Sequence, residues 1–140
     1  MKALHDLIKQ FEGCQLKAYK CPAGIWTCGW GTTGADVKPD TVWTQEQADT
    51  RMAKDAQKFV DGVLKVSPVL KDHPNKLAAV ADFAYNCGLS NYQQSTLCIK
   101  VNSQDWQAAA EEFGKWIRGG GKVLPGLIKR REAEKKLFLS

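Results

Sequence analysis

Between Leu77 and Tyr85 the chain reads LAAVADFAY, a run whose one polar member is Asp82. A helix that is apolar all round is buried all round. This segment is therefore read as the central helix of a lobe, with Gly88 as its C-terminal stop. The flanking sequence supplies further helices. Leu4, Leu7, Ile8 and Phe11 recur at helical spacing and predict an amphipathic helix over residues 2–12, halted by Gly13. Thr44-Gln45-Glu46-Gln47 has the form of a capping box and opens a long helix, with Ala48, Met52, Ala56, Phe59, Val60, Val63 and Leu64 on its apolar face. Pro68 and Pro74 bracket a connection. A short helix is expected from about Thr96 and another over 105–118. The Gly119-Gly120-Gly121 turn then leads to a basic helix at about 127–137.

Residues 11–31, FEGCQLKAYKCPAGIWTCGWG, break the helical pattern. From Leu16 to Thr33 the chain is rich in glycine, aromatic and β-branched residues, which predicts a small twisted sheet. In it Thr27 and Cys28 point to opposite faces. Asp36 to Asp40 reads as a loop. The expected architecture is α+β and mainly helical, a single domain over residues 1–140. A small β-containing lobe (about 13–43) is joined by a long helix (about 44–65) to a helical lobe formed by 66–140 together with 1–12. A cleft is implied between the lobes. At 140 residues one such domain has enough chain to bury a sizeable core.

Within residues 11–31 the single acidic side chain is Glu12, in the last turn of its helix. A carboxylate there faces the negative end of the helix dipole, which disfavours its charged form, and partial burial acts in the same direction. A surface glutamate gains nothing from that position; a general acid does. The five cysteines, Cys14, Cys21, Cys28, Cys87 and Cys98, are an odd number, so complete pairing leaves one thiol free. The chain has no CxxC pair, and its two histidines, His5 and His73, stand far apart in sequence. That speaks against zinc. No metal or cofactor is expected.

No apolar run approaches the roughly 20 residues of a membrane span. The opening MKALHDLIKQFEG is interrupted by polar residues and does not read as a signal peptide, so a soluble cytoplasmic product without its own secretion address is expected. Charge is unevenly placed. Lys115 to Ser140 carries eight basic and two acidic residues, while the whole chain is only +5. A basic C-terminal third suits a polyanionic partner such as nucleic acid, an anionic polymer or a cell envelope, and solvated helix faces are the plainer explanation.

The segment EGCQLKAYKCPAGIWTCGWGTT (12–33) resembles the phage-type lysozymes, the muramidase endolysins of tailed phages and prophages. TQEQA at 44–48, FAYNCG at 83–88, STL at 95–97 and WIRGGGKVLPGLIKRREAE at 116–134 match in the same order. The resemblance implies the two-lobed lysozyme fold. It implies hydrolysis of the β-1,4 bond between N-acetylmuramic acid and N-acetylglucosamine in peptidoglycan, which releases phage by host lysis. The family's catalytic set is a glutamate, an aspartate nine positions on and a threonine six beyond that. Here those positions hold Glu12, Cys21 and Thr27, so a thiol stands where the second carboxylate is expected. The family also implies an arginine against the glutamate, at Arg130 with Arg131 the second choice. It places Asn86 and Tyr85 along the sugar cleft, where helix capping and core packing are the competing roles. Ser95 and Thr96 are read as helix caps. The five tryptophans are read as core or rim anchors.

Glycoside hydrolysis needs an acid for the leaving oxygen and a group that stabilises or attacks the cationic sugar. Glu12 fits the acid, and Thr27 in this family helps place the attacking water. Cys21 is open to several roles: water positioner, base, thiolate nucleophile, or an inert buried cysteine. Losing the aspartate also admits a lytic transglycosylase, which cuts the same bond and leaves an anhydro product. A cysteine peptidase using Cys21 and His73, and a non-enzymatic binding module using the basic tail, are further alternatives. The implied partner is peptidoglycan rather than nucleic acid, without stable membrane insertion. The resemblance implies a monomer held in the host cytoplasm until a holin opens the membrane, acting then on the wall from the periplasm.

Overall fold

Helix α3 (Pro74–Cys87) forms around the apolar run, and every residue from Leu77 to Ala84 is buried in it, Asp82 included. The structure, a computed structural model, covers residues 1–140. Pro74 occupies the first turn of α3, where a missing N–H costs nothing. Gly88 ends it at φ 97°, a backbone region that L side chains resist. Against α3 pack α1 (Lys2–Glu12), α2 (Gln45–Val66) and α7 (Pro125–Phe138). Three short helices close the lobe: α4 (Leu89–Gln93), α5 (Thr96–Asn102) and α6 (Trp106–Phe113). The core they enclose includes Leu4, Ile8, Val63, Phe83, Phe113 and Phe138. Phe83 meets Phe113 and Trp116 edge to face, with centroids 6.0 and 5.2 Å apart.

The small lobe is a hairpin of β1 (Gln15–Lys20) and β2 (Trp26–Gly29), antiparallel, with Tyr19 opposite Thr27. The turn closes where the Cys21 amide donates to the Ile25 carbonyl at 3.0 Å. Cys28, on the face opposite Thr27, joins Ala18 and Val37 in a second, small core. Helix α2 runs from this cluster to the large one. Its capping box is complete: Thr44 Oγ1 accepts from the Gln47 amide at 3.1 Å, and the Gln47 side chain accepts from the Thr44 amide at 2.8 Å. Ala48, Met52, Ala56, Val60 and Val63 are buried along it, while Phe59 and Leu64 are only partly covered.

The expected helix boundaries need three corrections. The helix expected over 105–118 ends at Phe113. Gly114 is a poor helix former, and beyond it Trp116 turns back beneath Phe83. The glycine-rich turn is the tip of a hairpin between β3 (Arg118–Gly119) and β4 (Lys122–Val123). Helix α7 starts at Pro125, two residues before the expected point, because proline suits a first turn. Helix α4 was not expected; five residues are too few to show a period. Ser95 caps α5 through the Cys98 amide at 3.0 Å, whereas Thr96 lies inside the helix and caps nothing.

Candidate active site

Glu12 is the last residue of α1, with a side chain 20 % exposed at the seam between the lobes. Its Oε2 accepts from Arg130 Nη1 at 2.7 Å. Gly31, just past β2, lies against the same carboxylate. A Cβ there would sit 2.5 Å from Glu12 Oε1, on a backbone already at φ +79°. Only glycine lets the small lobe come this close. Tyr85 fastens the seam from α3 by donating to the Trp30 carbonyl at 2.8 Å. The Trp30 indole in turn donates to Asp49 on α2 at 2.7 Å.

Arg130 is buried on α7 and grips Asp82 with both sides of its guanidinium: Nε to Oδ2 at 2.9 Å and Nη2 to Oδ1 at 2.8 Å. Asp82 is the polar exception in the apolar run, and this pairing explains it. Next to them Arg131 Nη2 donates to Glu134 at 2.9 Å. Arg131 Nε lies 2.6 Å from Glu134 Oε1, close but out of line for a hydrogen bond. Arg131 Nη1 reaches the Cys87 sulfur at 2.9 Å. Of the two arginines, Arg130 is therefore the one that meets the glutamate. Arg131 faces away from it, into an interior pair.

Cys21 begins the hairpin turn and is a free, partly exposed thiol. The Ile25 backbone amide, followed by the Ala23 amide and the Thr27 hydroxyl, holds its pKa below the ordinary thiol range. The Thr27 hydroxyl donates its one proton to the Ile25 carbonyl at 3.0 Å, which holds its oxygen at the turn near Cys21. Tyr19, across the hairpin from Thr27, joins the two halves of the site. Its phenol pKa is pushed up by burial, then by the charges of Glu12 and Cys21. Glu12 and Arg130 form one pair at the seam and Cys21 and Thr27 a second on the hairpin, and Tyr19 lies near enough to both to feel Glu12 and Cys21.

The two proposed cleft residues diverge. Tyr85, with Gly31, Thr33, Lys58 and Phe59, lines a cavity of about 300 Å³ adjoining Glu12. Asn86 lines a separate one of about 270 Å³ with Trp116 and Arg118, and accepts from the Cys87 thiol at 3.5 Å. The largest concavity, about 460 Å³ between Asp36, Trp43 and Arg51, contains none of the site residues. His73 packs on Trp106, centroids 5.0 Å apart, and is not among the partners of Cys21.

Sequence reasoning missed Asp82, Glu134, Gly31 and Tyr19. Asp82 carried a signal as the lone polar residue of a buried helix. The other three showed none, since close approach and burial are properties of the folded chain.

The fold is shared with known proteins. The chain belongs to the phage lysozyme family, whose sequence profile matches residues 9–134. It is 44 % identical over 137 residues to the endolysin of Bacillus phage B103, covering 96 % of this chain but 52 % of that protein. It thus spans about half the length of that relative. It is 41 % identical over 138 residues to the endolysin of Acyrthosiphon pisum secondary endosymbiont phage 1, covering 96 % and 93 %. The endolysin of Escherichia coli O157:H7 phage FAHEc1 superposes with a TM-score of 0.87 at 33 % identity, over all of this chain and 92 % of the other.

Proposed function

We propose that this chain is a peptidoglycan-cleaving endolysin domain that hydrolyses the β-1,4 bond between N-acetylmuramic acid and N-acetylglucosamine. The observation that carries this is Glu12, clamped by Arg130 at the seam, with Cys21 and Thr27 on the facing hairpin. Glu12 protonates the leaving oxygen. The Arg130 guanidinium favours the carboxylate left behind, and so stabilises the product of that proton transfer. On the other side of the sugar, Cys21 and Thr27 hold the attacking water. A thiol that positions water leads to inversion at the anomeric carbon, whereas a thiolate attacking carbon leads to retention through a covalent intermediate. We favour inversion, because Thr27 is present beside the sulfur and positioning asks less of the thiol.

One observation favours a second reading. The second carboxylate is replaced by Cys21, and a lytic transglycosylase needs only the acid. Digestion of purified peptidoglycan with mass analysis of the fragments separates the two. Hydrolysis yields reducing muramic ends, and transglycosylation yields fragments lighter by one water. New amino groups without new reducing ends would instead reveal a peptidase, and binding without any cleavage would reveal a binding module. The expected working form is a monomer that reaches the wall after a holin opens the membrane. No helix is long and apolar enough to cross a membrane. Lysis on expression of this chain alone in unpermeabilised cells would contradict the holin requirement.

A further inference from the structure

Arg130 has to be aimed. A guanidinium is a planar fork, so fixing two of its nitrogens fixes the direction of the third. Asp82 occupies Nε and Nη2, which leaves Nη1 to point at Glu12. Glu134, one helical turn beyond Arg130, is fully buried and stands 3.9 Å from Arg130 Nε. We propose that Asp82 and Glu134 are positioning residues for the reaction assigned to Glu12, fixing the plane of the Arg130 fork so that one nitrogen stays on the acid. This rests on the reading of Glu12 given above.

The charges in the interior show what Glu134 contributes. The groups around the string are Glu12 from α1, Asp82, Tyr85 and Cys87 from α3, Arg130, Arg131 and Glu134 from α7, and Tyr19 from β1. Burial raises the pKa of Tyr85 and Cys87, so both stay protonated, as does Tyr19. Three carboxyl groups therefore face two guanidinium groups. Burial first, and then the Asp82 carboxylate, push Glu134 well above the usual carboxylate range. Held with its proton, it is a neutral neighbour of Asp82 rather than a second anion. An ionised Glu134, 3.9 Å from Arg130 Nε, would instead compete with Asp82 for that nitrogen and turn the fork away from Glu12. The neutral acid leaves Nε and Nη2 to Asp82 alone.

The test uses Glu134→Ala, Glu134→Gln and Asp82→Asn, with Glu12→Gln as control, measuring kcat and KM on a soluble peptidoglycan fragment. Glutamine is neutral and keeps the acceptor for Arg131, so Glu134→Gln should restore what Glu134→Ala loses. We expect kcat to fall about 10- to 100-fold in Glu134→Ala and Asp82→Asn with KM little changed. Folding is monitored by circular dichroism, and if Glu134→Ala does not fold, Glu134→Gln and Asp82→Asn decide. Wild-type kcat in the folded variants, or a loss that appears in KM rather than kcat, would overturn the positioning role. Glu134→Gln as impaired as Asp82→Asn would overturn the neutral-acid role. An active Glu12→Gln would show that the assignment of Glu12 itself had failed.

Discussion

At Cys21 the backbone, not a neighbouring cation, leads in lowering the thiol. Lys20 is adjacent in sequence, but its ammonium lies over the Trp26 ring, 5.5 Å from the centroid. The Ile25 amide is the leading influence that lowers the thiol. Alkylation by iodoacetamide follows the thiolate, so Cys21 should reach half its maximal rate at a lower pH than an ordinary cysteine. Cys87, raised by burial, should lag behind it, and peptide mapping of the labelled protein separates the two. Cys21→Asp should stay active and Cys21→Ala should be severely impaired. Full activity in Cys21→Ala, or a stable disulfide at Cys21 in active protein, would end the role proposed for the thiol. Removing a general acid costs about 10²–10⁴-fold. Glu12→Gln should lose at least that much lytic activity with its fold intact, and activity within a few fold of wild type would refute the assignment. Glu12, Cys21 and Thr27 could be proposed from the sequence because they lie within 16 residues of one segment, where family spacing can be read. Arg130 needed the whole match, since 118 residues separate it from Glu12. Glu134 could not be found, because nothing in RREAE tells an interior acid from a solvated one.

Elements were legible wherever a period or a cap had room to show. The α2 capping box and the apolar α3 each declare themselves within a few residues. The helices that misled are those where tertiary contact overrides local preference, as at Gly114 and Trp116. The join between the hairpin and α1 depends on Gly31 more than on any side chain. Gly31→Ala adds a methyl group 2.5 Å from Glu12 Oε1 at a positive φ, so either the hairpin or the carboxylate must shift. We expect activity to fall about 100-fold, as misplacement of a reacting group by an ångström can cost that much, with helical content unchanged. Near-wild-type turnover would mean that the seam is more yielding than its geometry indicates.

On the scale of the molecule, the basic C-terminal third is less exposed than its composition implies. Arg130 and Arg131 are interior, and Lys135 is tied to Glu111 at 3.0 Å. Lys122, Lys129 and Lys136 remain in solvent. If they draw the protein to an anionic wall, binding should weaken with salt, because such attraction is screened over about 8 Å at physiological ionic strength. Charge reversal of Lys129 and Lys136 should reduce wall binding and leave cleavage of small soluble glycans unchanged; equal loss on both would give those lysines a structural role instead. The clamp between Glu12 and Arg130 also joins two distant stretches of chain. Its partners stand 118 residues apart, on α1 and α7, so the pair can form only when both helices are docked on α3. A chain cut before residue 130 should therefore cleave no wall and be readily proteolysed, however well its hairpin forms. The site is a property of the completed fold, and no local segment carries it alone.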